Sequence, residues 1–161
     1  MSETDKYLRE HLLYLLRGGG AHVHFDDAFG DLTAEETGRS VEGVPYTVWQ
    51  VLEHMRIAQW DILEFSRNPA YRSPKWPEEY WPQRPAPAHA REWEQSVKSF
   101  RDDSAAMEAL VADPSTDLFA RIPHATGQTI LREALLIADH NAYHLGQVVL
   151  IRKLLGSWPS Q

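Results

Sequence analysis

Two histidines, His140 and His144, lie four residues apart in a long apolar stretch near the C-terminus. On an α-helix this spacing puts both side chains on one face, with Cβ atoms about 5–6 Å apart. An apolar row that we expect to point into the core contains both of them: Ile137, His140, His144, Val148 and Ile151. Imidazoles are costly in such surroundings unless they are hydrogen-bonded or bound to a metal. The spacing therefore indicates either a metal site or two structural histidines with ordinary hydrogen-bond partners.

His54 is the candidate for a third ligand. It lies between Val51 and Ala58 on the shoulder of an earlier apolar stripe, where a single histidine is more often a packed core residue. Together with His140 and His144 it would complete a site of three histidines. Three protein ligands leave positions for water or substrate, which is typical of catalytic zinc sites.

Two better-known metal motifs do not fit the sequence. A zincin needs HExxH, in which the glutamate is the general base, but Asn141 follows His140. A ferritin-like di-iron site needs a glutamate three residues before a histidine, and no histidine of the three has one. We therefore expect a mononuclear site rich in histidine.

Two polar residues share helix faces with these histidines. Gln147 lies three residues after His144, where it could orient an imidazole or a bound water. Asp61 lies seven residues after His54 and is the candidate for a catalytic base or for a carboxylate that orients a histidine.

The other histidines are weaker candidates. His22, His24 and His124 lie in loops, and each could line the mouth of the site or be a surface residue. His11 lies among leucines, and we expect it to be a core histidine with a satisfied ring.

Four long segments of helical periodicity, separated by glycine and proline, must position these residues. We predict helices over residues 4–17, 47–67, 89–111 and 129–155, with Thr47 and Gln50 as a capping box. A short helical piece is expected within 21–30, and a loop over 31–45. Residues 69–87 hold six prolines, which exclude a regular helix, and four aromatic residues that could cover a pocket or the end of the bundle. The pattern predicts one all-α domain over 1–161, a four-helix bundle with a long crossover connection.

Composition narrows the function further. The chain has no cysteine, which excludes disulfides, thiolate ligands and cysteine nucleophiles. A net charge of −7 argues against a protein that binds nucleic acid through phosphate contacts. The polar N-terminus does not resemble a signal peptide, and no apolar run has the ~20 residues of a membrane helix. We expect a cytoplasmic protein with no membrane partner.

Two segments resemble the DinB/YfiT-like superfamily: VWQVLEHMRIAQWDIL at 48–63 and LREALLIADHNAYHLGQVVLIRKLLG at 131–156. The segment LLRGGGAHVHF at 15–25 is similar to a subgroup of these proteins. The resemblance implies a four-helix bundle, often homodimeric, with a divalent ion, often nickel or zinc, on His54, His140 and His144. Similar proteins include thiol-dependent S-transferases, a mycothiol-dependent isomerase and proteins regarded as metal-dependent hydrolases.

The sequence leaves three functions open. The first is a metal-dependent enzyme that acts on a small molecule, either a transferase using an external low-molecular-weight thiol or a hydrolase. The second is a non-catalytic, dimeric bundle that binds a metal or senses a ligand. The third is a bundle without metal, whose histidines are only structural.

Overall fold

The structure, a computed structural model, describes residues 2–18 and 20–159. It confirms an all-α fold, and the described ranges contain no β-strand beyond one isolated bridge between Arg121 and Thr129. Six helices are present there: α1 (Glu3–Arg17), α2 (Phe25–Phe29), α3 (Ala34–Thr37), α4 (Val48–Arg67), α5 (Ala90–Ala112) and α6 (Ile130–Leu154). The four long helices form the bundle. No helix in the described ranges is both long and apolar enough to cross a membrane.

The helix starts follow from side-chain caps. The Thr47 hydroxyl accepts a hydrogen bond from the backbone N–H of Gln50, and the Thr47 N–H donates to the side-chain oxygen of Gln50, so the predicted capping box is confirmed. His89 and Thr129 cap α5 and α6 through their side chains in the same way, although neither forms a complete capping box. The expectation of a loop over 31–45 is wrong in part, because Thr33 and Glu36 form another capping box that begins α3.

Helices α4 and α5 run parallel. Trp49 and Trp93 approach each other near the two N-termini, and Gln59 donates to the carbonyl oxygen of Phe100 about two to three turns further on. Because α4 is about 30 Å long, the chain must travel back along the bundle before α5 can begin. This return explains the crossover of residues 68–89.

Helices α4 and α6 run antiparallel and frame the seam that holds the histidines. The start of α4 packs with the end of α6 in one apolar cluster, and the end of α4 packs with the start of α6 in another. Between the clusters lies a layer of buried or half-buried polar side chains: His54, Gln59, His140, Asn141 and His144. This polar layer therefore divides the apolar core of the bundle into two parts at the level of the candidate site.

The crossover is fixed to α4 by side chains at three levels. The Thr47 hydroxyl donates to the carbonyl oxygen of Pro85 at 2.6 Å, and the Gln50 amide donates to that of Pro82 at 3.3 Å. Further along, the Tyr80 hydroxyl donates to the Asp61 carboxylate at 2.6 Å. These contacts hold the proline-rich segment against the seam between α4 and α6.

Two buried arginines connect distant parts of the chain. The Arg9 guanidinium donates to the backbone carbonyl groups of Val111, Asp113 and Thr116, which joins α1 to the end of α5. Arg152, at the end of α6, donates to the Ala28 carbonyl oxygen and to the Asp31 carboxylate. Neither residue carried a sequence pattern that distinguishes it from a surface arginine.

Candidate metal centre

The structure brings His54, His140 and His144 together at the seam. Each offers one ring nitrogen, and the three nitrogens all lie within 4.8 Å of one another. The Nε2 atoms of His54 and His140 are 3.1 Å apart. Two imidazole nitrogens bound at about 2.0–2.1 Å from one ion can be separated by such a distance. The group can therefore hold a metal ion, and imidazole ligands suit zinc, copper, iron and nickel.

Hydrogen bonds orient two of the rings toward the common point. The His54 Nδ1–H donates to the backbone carbonyl oxygen of Tyr80 at 3.0 Å. The His144 Nδ1–H donates to the side-chain oxygen of Gln147 at 2.7 Å. Because both acceptors lack a hydrogen to give, each ring carries its proton on Nδ1 and its free lone pair on Nε2 when it is neutral. Such outer partners fix the tautomer of a metal-ligating histidine and raise its basicity.

An acceptor is also placed for the third ring. The side-chain oxygen of Asn141 is buried and has no hydrogen-bond partner of normal geometry among the described residues. It nevertheless interacts with the adjacent His140, since this amide opposes the fall in the pKa of that ring. An orphaned acceptor beside His140 fits a ring that turns Nε2 to an ion and its Nδ1–H to the amide.

Burial keeps the three rings neutral. It lowers the pKa of His54 to about 4, against the effect of the Tyr80 carbonyl group. It lowers the pKa of His140 to about 4 as well, with a further contribution from the positive charge that His144 and His54 would carry. Burial also lowers the pKa of His144. Near neutral pH all three rings therefore present lone pairs, which is the state that a metal ligand requires.

Aromatic rings from the crossover and its surroundings enclose His54. The Trp81 ring stacks on it with 3.9 Å between centroids and 5° between planes, and Tyr46 stacks on the other face of Trp81 at 4.0 Å. On α6, the Tyr143 ring lies edge-on to His144 at 5.0 Å while remaining 66% exposed. The site is thus closed by Trp81 on one side and bordered by Tyr143 at the surface.

The two polar candidates occupy different positions. Gln147 contacts His144, as the predicted orienting role requires. Asp61 makes no hydrogen bond to the three histidines in the described ranges; its bond goes to the Tyr80 hydroxyl, and the backbone of Tyr80 accepts from His54. Asp61 is therefore connected to the site through Tyr80. This placement supports an indirect orienting role more than that of a base at the reacting atoms.

The remaining histidines do not join the cluster. His124 is exposed, and its ring contacts the carbonyl oxygen of Phe65 at 2.7 Å near the end of α4. His22 and His24 line a separate cavity between α1, α2, α5 and α6. His11 is exposed, so the expectation of a core histidine is wrong.

Sequence reasoning missed the contributions of Tyr80 and Trp81. The carbonyl group that orients His54 belongs to the backbone, so no side-chain pattern indicates it. The available signal was the density of aromatic residues in a proline-rich stretch, which favours packing over a free linker. That signal does not say which ring covers which histidine.

The comparisons with known proteins agree with this arrangement. A sequence model described as the DinB superfamily matches residues 21–148, which include all three histidines and the crossover. No curated protein and no solved structure matches the chain. On the match over most of its length, the chain belongs to the DinB superfamily.

Proposed function

We propose that the protein is a metal-dependent enzyme that transfers an external low-molecular-weight thiol to a small electrophilic substrate. The observation that carries the proposal is the convergence of three neutral imidazoles, two with their Nδ1–H groups held by acceptors. His54, His140 and His144 would hold the ion, with nickel or zinc the expected metals. When bound, such an ion lowers the pKa of a coordinating thiol or water and acts as a Lewis acid.

Thiol transfer is favoured over hydrolysis by what surrounds the histidines. In the described part of the chain no carboxylate belongs to the histidine cluster, and Asp61 is engaged by Tyr80. A free thiol has a pKa near 8.5, and a metal ion deprotonates a coordinating thiol outright, so the thiolate forms without a general base. Water, with a pKa of 15.7, benefits more from one. Since the chain has no cysteine, the thiol must come from outside.

The exposed side of the site supports access by a small molecule. Trp81 has Tyr46 on one face and His54 on the other, so its ring faces are occupied. Beside these covered residues, Tyr143 is exposed next to His144, and His140 is only half-buried. We place the reaction in the cytoplasm, where low-molecular-weight thiols are kept reduced.

Metal analysis tests the centre itself. Protein prepared without chelator and then offered zinc or nickel should bind about one ion per chain. His140→Ala and His144→Ala should each abolish binding. His124→Ala, which changes an exposed histidine outside the cluster, should not. Undiminished binding by the first two variants would refute the centre.

Activity assays test the reaction. With the metal loaded, a conjugation screen that pairs low-molecular-weight thiols with electrophiles should give turnover that is lost in His54→Gln. Turnover of esters or amides without any thiol would instead assign the site to hydrolysis. If the loaded protein is inactive in both screens, a binding or sensing role replaces the enzyme.

We also propose that the protein forms a homodimer through the outer side of α6. Leu150 and Leu154 lie one turn apart on α6, and each is more than half exposed. Association would remove this apolar surface from water. Light scattering during size-exclusion chromatography should give twice the chain mass, and Leu150→Glu should shift the protein to the monomer.

A further inference from the structure

A cavity lies on a different face of α6 from the metal centre. It measures about 280 Å³ and opens between α1, α2, α5 and α6. His140, His144 and Gln147 occupy the α6 face toward α4. The cavity is instead lined by the residues at 138, 141, 142 and 145 of the same helix. Because the two faces diverge around the helix axis, a molecule in the cavity would not contact the ion.

The walls of the cavity are apolar. Apolar side chains from four helices line it, among them Leu16, Phe25, Phe100, Ala138, Ala142 and Leu145. Phe25 and Phe100 stack at 4.1 Å and 9°, which provides a flat aromatic wall. α6 contributes only alanine at positions 138 and 142, one turn apart, so these two positions of the helix leave room beside them.

The charges at the rim are balanced. Arg17 donates to Glu108 at 2.8 Å, and Arg101 donates to Asp26 at 2.6 and 2.9 Å. Each arginine that borders the cavity is thus already paired with a carboxylate that also borders it. A charged ligand would have to displace one of these partners, so the rim favours an uncharged one.

One wall offers a fixed pair of polar groups. Gln59 is 1% exposed, and its side-chain oxygen accepts from the Ser104 hydroxyl at 3.1 Å and from the Asn141 amide at 2.8 Å. Its own amide donates to the Phe100 carbonyl oxygen at 2.8 Å, so Gln59 is held in turn. Ser104 and Asn141 both line the cavity. The Ser104 oxygen keeps its lone pairs, and the Asn141 nitrogen keeps a second hydrogen.

We propose that this cavity is a binding site for an uncharged, largely apolar small molecule with one hydroxyl or carbonyl group. The apolar body would occupy the space beside Phe100 and Ala142, and the polar group would meet Ser104 and Asn141. The volume lies just below the range of about 300–1,000 Å³ for drug-sized ligands, so the molecule is smaller than these. Asn141 adjoins His140, so the site lies one residue from a ligand of the proposed metal centre.

Benzyl alcohol is a suitable probe, because it combines a ring with one hydroxyl group and no charge. Titrated into the ¹⁵N-labelled full chain, it should produce saturable shifts in the side-chain amide signals of Asn141 and Gln59. Benzoate, which has a similar ring but a negative charge, should bind at least tenfold more weakly. Equal binding of benzoate would overturn the assignment to uncharged ligands.

Two variants and a control locate the binding. Ala142→Leu fills the cavity and should abolish the saturable shifts, whereas Ala109→Leu on the exposed side of α5 should leave them unchanged. Ser104→Ala should weaken benzyl alcohol about five- to tenfold through the lost hydrogen bond. If Ala142→Leu does not fold, as judged by circular dichroism, Ser104→Ala decides. Shifts that do not saturate, that survive in the cavity variants or that centre on His54 would overturn the proposal. The test needs no metal and no enzymatic activity, so it is independent of the proposed reaction.

Discussion

The hydrogen bond between His144 and Gln147 gives a quantitative test of how the protein prepares its metal centre. Its length is 2.7 Å, and it fixes the only proton of a neutral ring on Nδ1. In Gln147→Leu the ring loses that acceptor and can rotate or change tautomer. Losing such a partner typically lowers metal affinity 10–100-fold. This corresponds to about 1.4–2.7 kcal/mol of binding free energy.

Competition for zinc or nickel with a chromophoric chelator at pH 7.5 measures this effect. At that pH the three rings of the native chain are neutral, because burial has lowered their pKa values, so protons compete little with the ion. Gln147→Glu keeps an acceptor and should bind as tightly as the native chain or more tightly. Gln95→Leu, the same change at an exposed position of α5, should have no effect.

Two results would refute this reasoning about Gln147. Gln147→Leu could bind within twofold of the native chain, which would show that His144 needs no outer acceptor. Gln147→Glu could lose as much affinity as Gln147→Leu, which would show that the amide acts through its shape.

Three further predictions concern stability and the crossover. The pKa of His54 is about 4 in the folded chain and about 6.5 when unfolded, so the unfolded state takes up the proton first. The free energy of unfolding of the metal-free protein, measured by urea titration, should therefore fall by about 3 kcal/mol through this group as the pH is lowered from 6.5 to 4. The His54→Gln variant should lack this contribution to the fall. Arg9→Met should lower the free energy of unfolding by about 3 kcal/mol, because three backbone acceptors lose their donor, whereas the exposed Arg91→Met should change it little. Trp81→Leu should weaken metal binding and remove the metal-dependent change in tryptophan fluorescence, because the Trp81 ring stacks on His54. The control Trp60→Leu should preserve both. An unchanged fluorescence response in the Trp81 variant would contradict the stacking argument.

Comparison of His54 with His11 shows how far local sequence patterns reach. Both lie beside the apolar residues of a helical stripe, so periodicity predicts a packed core position for each. His54 is 3% exposed because Tyr80 and Trp81 cover it, whereas His11 is exposed on the outer side of α1. The covering segment is 26 residues away in the chain. The apolar stripe alone therefore could not show which of these two histidines belongs to the site. The combination of His54 with the HxxxH motif of α6 could.

The helix starts and the crossover could be predicted because their signals are local in the sequence. Caps at Thr47 and Thr129 and the prolines of residues 69–87 act locally, so they mark helix starts and the crossover directly in the sequence. The short helix α3 was missed because four residues carry no periodic stripe, although its capping box was readable. The buried Arg9 could not be predicted, because its acceptors are carbonyl groups more than 100 residues away.

The separation of the three histidines along the chain has a consequence for the order of folding. His54 and His140 are 86 residues apart, and the carbonyl group that orients His54 lies on the crossover between them. A chain still being synthesised or only partly folded offers an ion at most the local pair on α6. The complete centre exists only after α4, the crossover and α6 have docked, so an ion that binds it adds its binding free energy to the native state alone. The ion would then bind only after the helices have assembled, and its effect would be to slow unfolding.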